Sequence, residues 1–122
     1  MTIHSFKDLD AWKEGHKLVL MAYKETQKFP REEIFGITNQ IRRAAVSITS
    51  NLAEGFSRQS YKDKVQFYCI ALGSLTELQN QIIICKDIGY ISPELYSKFE
   101  EQSTIEHRII NGLIKSSKNH NS

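Results

Sequence analysis

Proline is scarce in this chain, and so are cysteine and any signal for a sheet. Only Pro30 and Pro93 occur, and both stand where a helix could begin. No alternating β-rich run of useful length is present, and no hairpin signal sits between two such runs, so the reading is all-α. Cys69 and Cys85 stand sixteen residues apart. On one helix, at ~1.5 Å per residue, they lie roughly 24 Å apart, too far to bridge. They read as small buried hydrophobes of a reducing compartment. No apolar run approaches the ~18 residues that a membrane span needs, and no signal-peptide pattern follows Met1. The expectation is a cytoplasmic protein with no membrane partner.

Chemistry is equally thin. There is no Cys-x-x-Cys, no His-Glu-x-x-His and no glycine-rich phosphate loop. A di-iron bundle needs Glu-x-x-His pairs, and none occurs. The histidines His4, His16, His107 and His120 show no paired ligand spacing, and no arginine has a histidine four to six residues downstream. No base adjoins either thiol. The expectation is a protein without cofactor or metal, and not an enzyme. A net charge of +2 neither demands nor excludes a nucleic-acid partner.

What is present is helical periodicity. At 122 residues the chain suits one domain. The patterns predict four helices, at about 8–28, 37–55, 61–88 and 93–116, with a polar tail at 117–122. Ser5 and Asp8 form a capping pattern for the first, whose core stripe reads Leu9, Trp12, His16, Val19, Tyr23 and Thr26. The second places Ile37, Ile41, Ala44, Ile48 and Leu52 on its apolar face. The third is apolar on so much of its circumference, with Phe67, Ala71, Ser74, Leu78 and Cys85 as its central stripe, that it must be covered on more than one side. Ser92-Pro93-Glu94 starts the fourth, whose apolar face of Leu95, Phe99, Ile105, Ile109, Ile110 and Leu113 also holds Gln102 and Glu106, polar groups that need partners. Short connections favour an antiparallel up-down-up-down four-helix bundle.

That topology sorts the charges. One end collects Lys7, Arg58, Lys62, Lys64, Lys115 and Lys118, and the other is mostly acidic. Lys13, Lys17, Lys24 and Lys28 form a separate ridge on the first helix. Within residues 40–55 (QIRRAAVSITSNLAEG), Arg43, Ser47, Asn51 and Glu54 are expected in a polar seam with the third helix near Ser74 and Glu77. Arg42, Val46, Thr49 and Ala53 are left to face a neighbouring chain.

Residues 6–12 (FKDLDAW), 40–55 and 73–78 (GSLTEL) together resemble the four-helix-bundle family first noticed as proteins encoded in intervening sequences of bacterial 23S ribosomal RNA genes. The resemblance runs from about residue 6 to 115. It implies an up-down bundle and a homopentamer, a barrel with a central channel. The family is also similar to the accessory protein of diversity-generating retroelements, a basic pentamer that binds nucleic acid and a reverse transcriptase. Two functions from different classes follow as expectations. One is an oligomer that binds RNA or DNA phosphates with little sequence specificity, through Lys7, Arg58, Lys62 and Lys64 or through the ridge of Lys13, Lys17 and Lys24. The other is a protein-interaction scaffold, with a partner such as a reverse transcriptase and no direct contact to nucleic acid.

Overall fold

The computed structural model describes residues 2–120. Among them are four α-helices and no strand: α1 (Asp10–Thr26), α2 (Ile37–Ser57), α3 (Tyr61–Asp87) and α4 (Pro93–Lys118). Short 3-10 turns at Phe6–Asp8 and Arg31–Glu33 precede α1 and α2. The fold is the all-α four-helix bundle that the periodicity predicts. α1 packs on α2 and α4, and α3 packs on α2 and α4, so chain neighbours are spatial neighbours and α4 closes the ring against α1.

Local chemistry explains most boundaries. Ser60 Oγ accepts from Asp63 N at 3.1 Å, and Ser92 Oγ from Leu95 N at 3.1 Å with Pro93 in the first turn. Gly89 ends α3 at φ +86°, a conformation that side chains rarely adopt, and Tyr90 N then donates to Cys85 O at 2.8 Å. The Ser5–Asp8 box does form, but it caps the 3-10 turn rather than α1, because Leu9 is extended and interrupts the helix. Asn111-Gly112 lies inside α4, with no strand on either side to make a hairpin of it. The chain from Ser117 to His120 is not a loose tail: α4 runs to Lys118, Ser117 is buried, and the His120 ring stacks on Tyr61 at 4.2 Å. Asn121 and Ser122, the rest of the expected tail, lie outside the described residues.

The core runs the length of the bundle. Ile41, Ala44, Ala45, Ile48 and Leu52 of α2 meet Ala71, Leu75, Leu78 and Ile82 of α3, with Leu18, Phe99 and Ile110 closing the other half. Each such large side chain contributes about 1.5–3 kcal/mol by leaving water. The face of α1 differs from expectation. Its buried residues are Ala11, Gly15, Leu18, Ala22 and Thr26, roughly 100° around from the stripe of larger residues. Trp12, His16 and Val19 are half-buried at the rim, with Trp12 stacked on His16 at 4.8 Å, and Tyr23 is exposed. Small residues let α1 approach closely, and the large rings close over its flank. On α3 the inward aromatic is Tyr68 rather than Phe67, and Cys69 is exposed while Cys85 is buried. On α4 the interior positions are Phe99, Ser103, Glu106, Ile110, Ile114 and Ser117.

Candidate interaction surfaces

The antiparallel order brings the start of α1, the α2–α3 connection and the end of α4 to one end of the bundle. The Tyr61–His120 stack ties α3 to α4 there. Of the cations predicted at this end, two are engaged internally. Lys64 Nζ donates to Phe56 O at 2.6 Å, capping the carbonyl end of α2, and burial lowers its pKa. Arg58 Nη2 donates to Glu54 Oε2 at 2.8 Å, and its guanidinium lies 4.5 Å over the Phe67 ring. Lys7, Lys62, Lys115 and Lys118 are exposed, and among the described residues none has a carboxylate within 4.0 Å. A shallow depression lined by Gly112, Lys115, Ser116, Asn119 and His120 adjoins them. The aromatic pair beside these lysines was not legible beforehand, because it joins residues 59 positions apart through the bundle closure.

The lysine ridge on α1 is only partly available. Lys17 pairs with Glu14 at 3.0 Å and Lys28 with Glu25 at 3.1 Å, whereas Lys13 and Lys24 are exposed without such a partner among the described residues.

The polar seam of α2 and α3 is real but smaller than expected. Ser47 Oγ lies 2.8 Å from Ser74 Oγ, and Asn51 Nδ2 donates to Ser47 O at 2.8 Å and to its Oγ at 3.0 Å. Arg43 and Glu77 are exposed and outside this network. Glu54 turns to Arg58, one turn along its own helix, instead of to α3. Of the residues expected to face a neighbouring chain, Arg42 and Thr49 also make contacts within this one. Thr49 is buried, its hydroxyl donating to Val46 O at 3.1 Å. Arg42 crosses to α1, where Nε donates to Thr26 Oγ1 at 2.9 Å and the guanidinium lies 4.8 Å over Tyr23. Tyr23, Asn39, Arg42, Arg43, Val46 and Ser47 line an open groove of about 450 Å³. Two guanidiniums with no carboxylate within 4.0 Å among the described residues thus share a groove with an exposed aromatic ring, a grouping that spacing within α2 alone does not disclose.

The outer face of α3 mixes exposed isoleucines with the exposed polar residues Gln66, Glu77 and Asn80. Ile70, Ile84 and Ile88 are exposed there, Ile88 at 55% and Ile70 at 52%. Gly73 lies between Ile70 and Ile84, and a Cβ added there would meet nothing within 4 Å, so that position opens to solvent. Among the described residues no group of three His, Cys, Asp or Glu side chains is placed to hold a metal ion, and no helix is long and apolar enough to cross a membrane.

Fold and surfaces together define a small helical bundle whose distinctive features lie on its outside: an end with exposed lysines, a twin-arginine groove and exposed isoleucines along α3. The chain belongs to the 23S rRNA-intervening sequence protein family, whose sequence model matches residues 7–112. It is similar in fold to a crystal structure from Bacteroides thetaiotaomicron, described as a protein of unknown function from the S23 ribosomal protein family. The two share 23% identity over 86% of this chain and 98% of that one, with a TM-score of 0.77. Comparison with curated proteins returned no match.

Proposed function

We propose that this protein is a non-enzymatic, self-associating cytoplasmic bundle, pentameric in the reading that its family resemblance suggests, which grips nucleic-acid phosphates with one end. The observation that carries the binding reading is the cluster of Lys7, Lys62, Lys115 and Lys118 at that end, without ion-pair partners among the described residues and next to the Tyr61–His120 stack. Lysines of this kind make phosphate contacts that position a strand without reading bases. The aromatic pair adds a flat ring face suited to an unstacked base of structured RNA. Repetition around a ring would concentrate a monomer charge of only +2 into a stronger local field. Arg58 and Lys64, tied to Glu54 and Phe56, hold the loop in place and contribute less to contact.

The test is fluorescence anisotropy with a structured RNA and a duplex DNA across a salt series. Binding in about the micromolar range, weakening steeply with salt, is the expected result. Joint charge reversal at Lys62 and Lys115 should remove it while leaving helicity unchanged. Absence of binding at low salt would refute the reading.

A second reading, a scaffold for another protein, is favoured by the exposed isoleucines Ile70, Ile83, Ile84 and Ile88 of α3 and its end. The same charge-reversal variant separates the two, because partner capture through α3 would survive it.

A further inference from the structure

The seam between α1 and α4 holds a carboxyl group in an unusual place. Glu106 is 0% exposed, and neither Oε1 nor Oε2 has a hydrogen-bond partner among the described residues. Gly15 of α1 makes the room: a Cβ at that position would overlap Glu106 Oε2 and press on the Thr49 methyl at 3.2 Å. Thr49 turns its hydroxyl to its own backbone, so α2 offers the carboxyl only a methyl group on this side.

An ionised carboxylate so enclosed would forfeit its hydration with no compensating bond, a far larger cost than enclosing the neutral acid. The geometry points to Glu106 being carried as a neutral carboxylic acid, so that closure of α4 onto α1 requires a bound proton and the seam is a pH-sensitive lock. The surroundings agree. Burial, and then the charge of Glu14 on α1, push the Glu106 pKa up to about 9. Glu14 itself stays ionised, because Gln102 Nε2 donates to its Oε1 at 3.0 Å and Lys17 pairs with it, both of which lower its pKa. No charged or titratable group of α2 or α3 contributes to the shift. On α4 the adjacent His107 is exposed and turned to Asn111, with its Nδ1 3.0 Å from Asn111 Nδ2.

The sign follows from proton linkage. The folded state holds this proton more tightly than the unfolded chain does. Stability from Glu106 is therefore fully present below the ordinary glutamate pKa and is lost as pH rises toward the folded value. Urea unfolding of the whole chain and of Glu106→Gln, from pH 5 to pH 9, tests it. The folding equilibrium constant of the native chain, divided by that of the variant, should fall about tenfold per pH unit across this window. Parallel profiles would overturn the proposal. Should Glu106→Gln fail to fold, carbon NMR of the side-chain carboxyls in the native protein decides the matter. A Glu106 carboxyl at the neutral-acid shift at pH 7 supports the proposal, and a carboxylate shift there overturns it.

Discussion

The two seams that flank α1 and α3 solve the same packing problem differently. Between α2 and α3 the interior is largely aliphatic and Ser47, Asn51 and Ser74 satisfy one another, although the neutral Thr38 Oγ1 and Gln81 Oε1 are buried without a partner among the described residues. Between α1 and α4, small residues face inward and a carboxyl without a partner fills the space that Gly15 leaves. The first arrangement draws its stability from apolar burial, which is insensitive to pH. The second makes stability conditional on a proton, and it does so from both directions. Glu14 at the rim, held below its ordinary pKa by Gln102 and Lys17, stabilises the seam above the usual glutamate range and loses that contribution in acid. Glu106 in the interior behaves in the opposite sense. A bundle built this way should open first along α1 and α4, with α2 and α3 as its persistent half.

The largest effect should come from breaking the aliphatic seam. Ile48→Ala removes a side chain that is wholly buried against α3 and leaves a cavity, at a cost of about 2–5 kcal/mol in chemical denaturation. The loss should be the same at pH 6 and pH 9, since what is removed is apolar burial. A loss that varied with pH would mean that the two seams do not act independently.

Next in size is Gly15→Ala. The added methyl collides with the end of the Glu106 side chain and forces it from its niche, which should cost about 1–3 kcal/mol. Combined with Glu106→Ala, the same substitution should lose most of that cost, because only the 3.2 Å contact with the Thr49 methyl then opposes the better helix propensity of alanine. A double-mutant cycle measured by thermal unfolding reads this coupling directly. Additive effects would show that Gly15 is not there for the carboxyl.

The architecture was largely legible in the sequence, and the faces less so, for reasons that these residues display. Helix number, order and most caps follow from Ser60, Gly89, Ser92 and Pro93, whose roles depend only on adjacent backbone. The orientation of α1 does not. A hydrophobicity pattern gives Trp12, Val19 and Tyr23 more weight than Ala11, Gly15 and Ala22, yet the small residues face inward because close helix approach outweighs side-chain size. Glu106 could be flagged as polar within an apolar face, but that its oxygens would remain unpaired depends on Gly15, ninety-one positions away. The basic end was readable from topology, while the loss of Arg58 and Lys64 to internal partners depended on rotamers that place them over Phe67 and against Phe56.

The smallest effect belongs to Glu54, and it tests whether α2 carries a hidden third seam. Among the described residues, the side chain of Glu54 makes only the pair with Arg58, and the two side chains are 54% and 43% exposed. Exposed pairs one helical turn apart contribute no more than about 0.5 kcal/mol. Glu54→Gln should therefore leave the urea midpoint of the dissociated chain almost unchanged, whatever the pH between 6 and 9. The proposed self-association can be followed for the same variant by light scattering over a dilution series. If the proposed assembly forms and persists unchanged, the outer edge of α2 near Arg58 lies away from contacts between copies. If the assembly dissociates at higher protein concentration while the single chain is unaffected, Glu54 has a second cation to meet across the interface. A carboxylate that appears idle in one bundle would then be part of the contact that joins two.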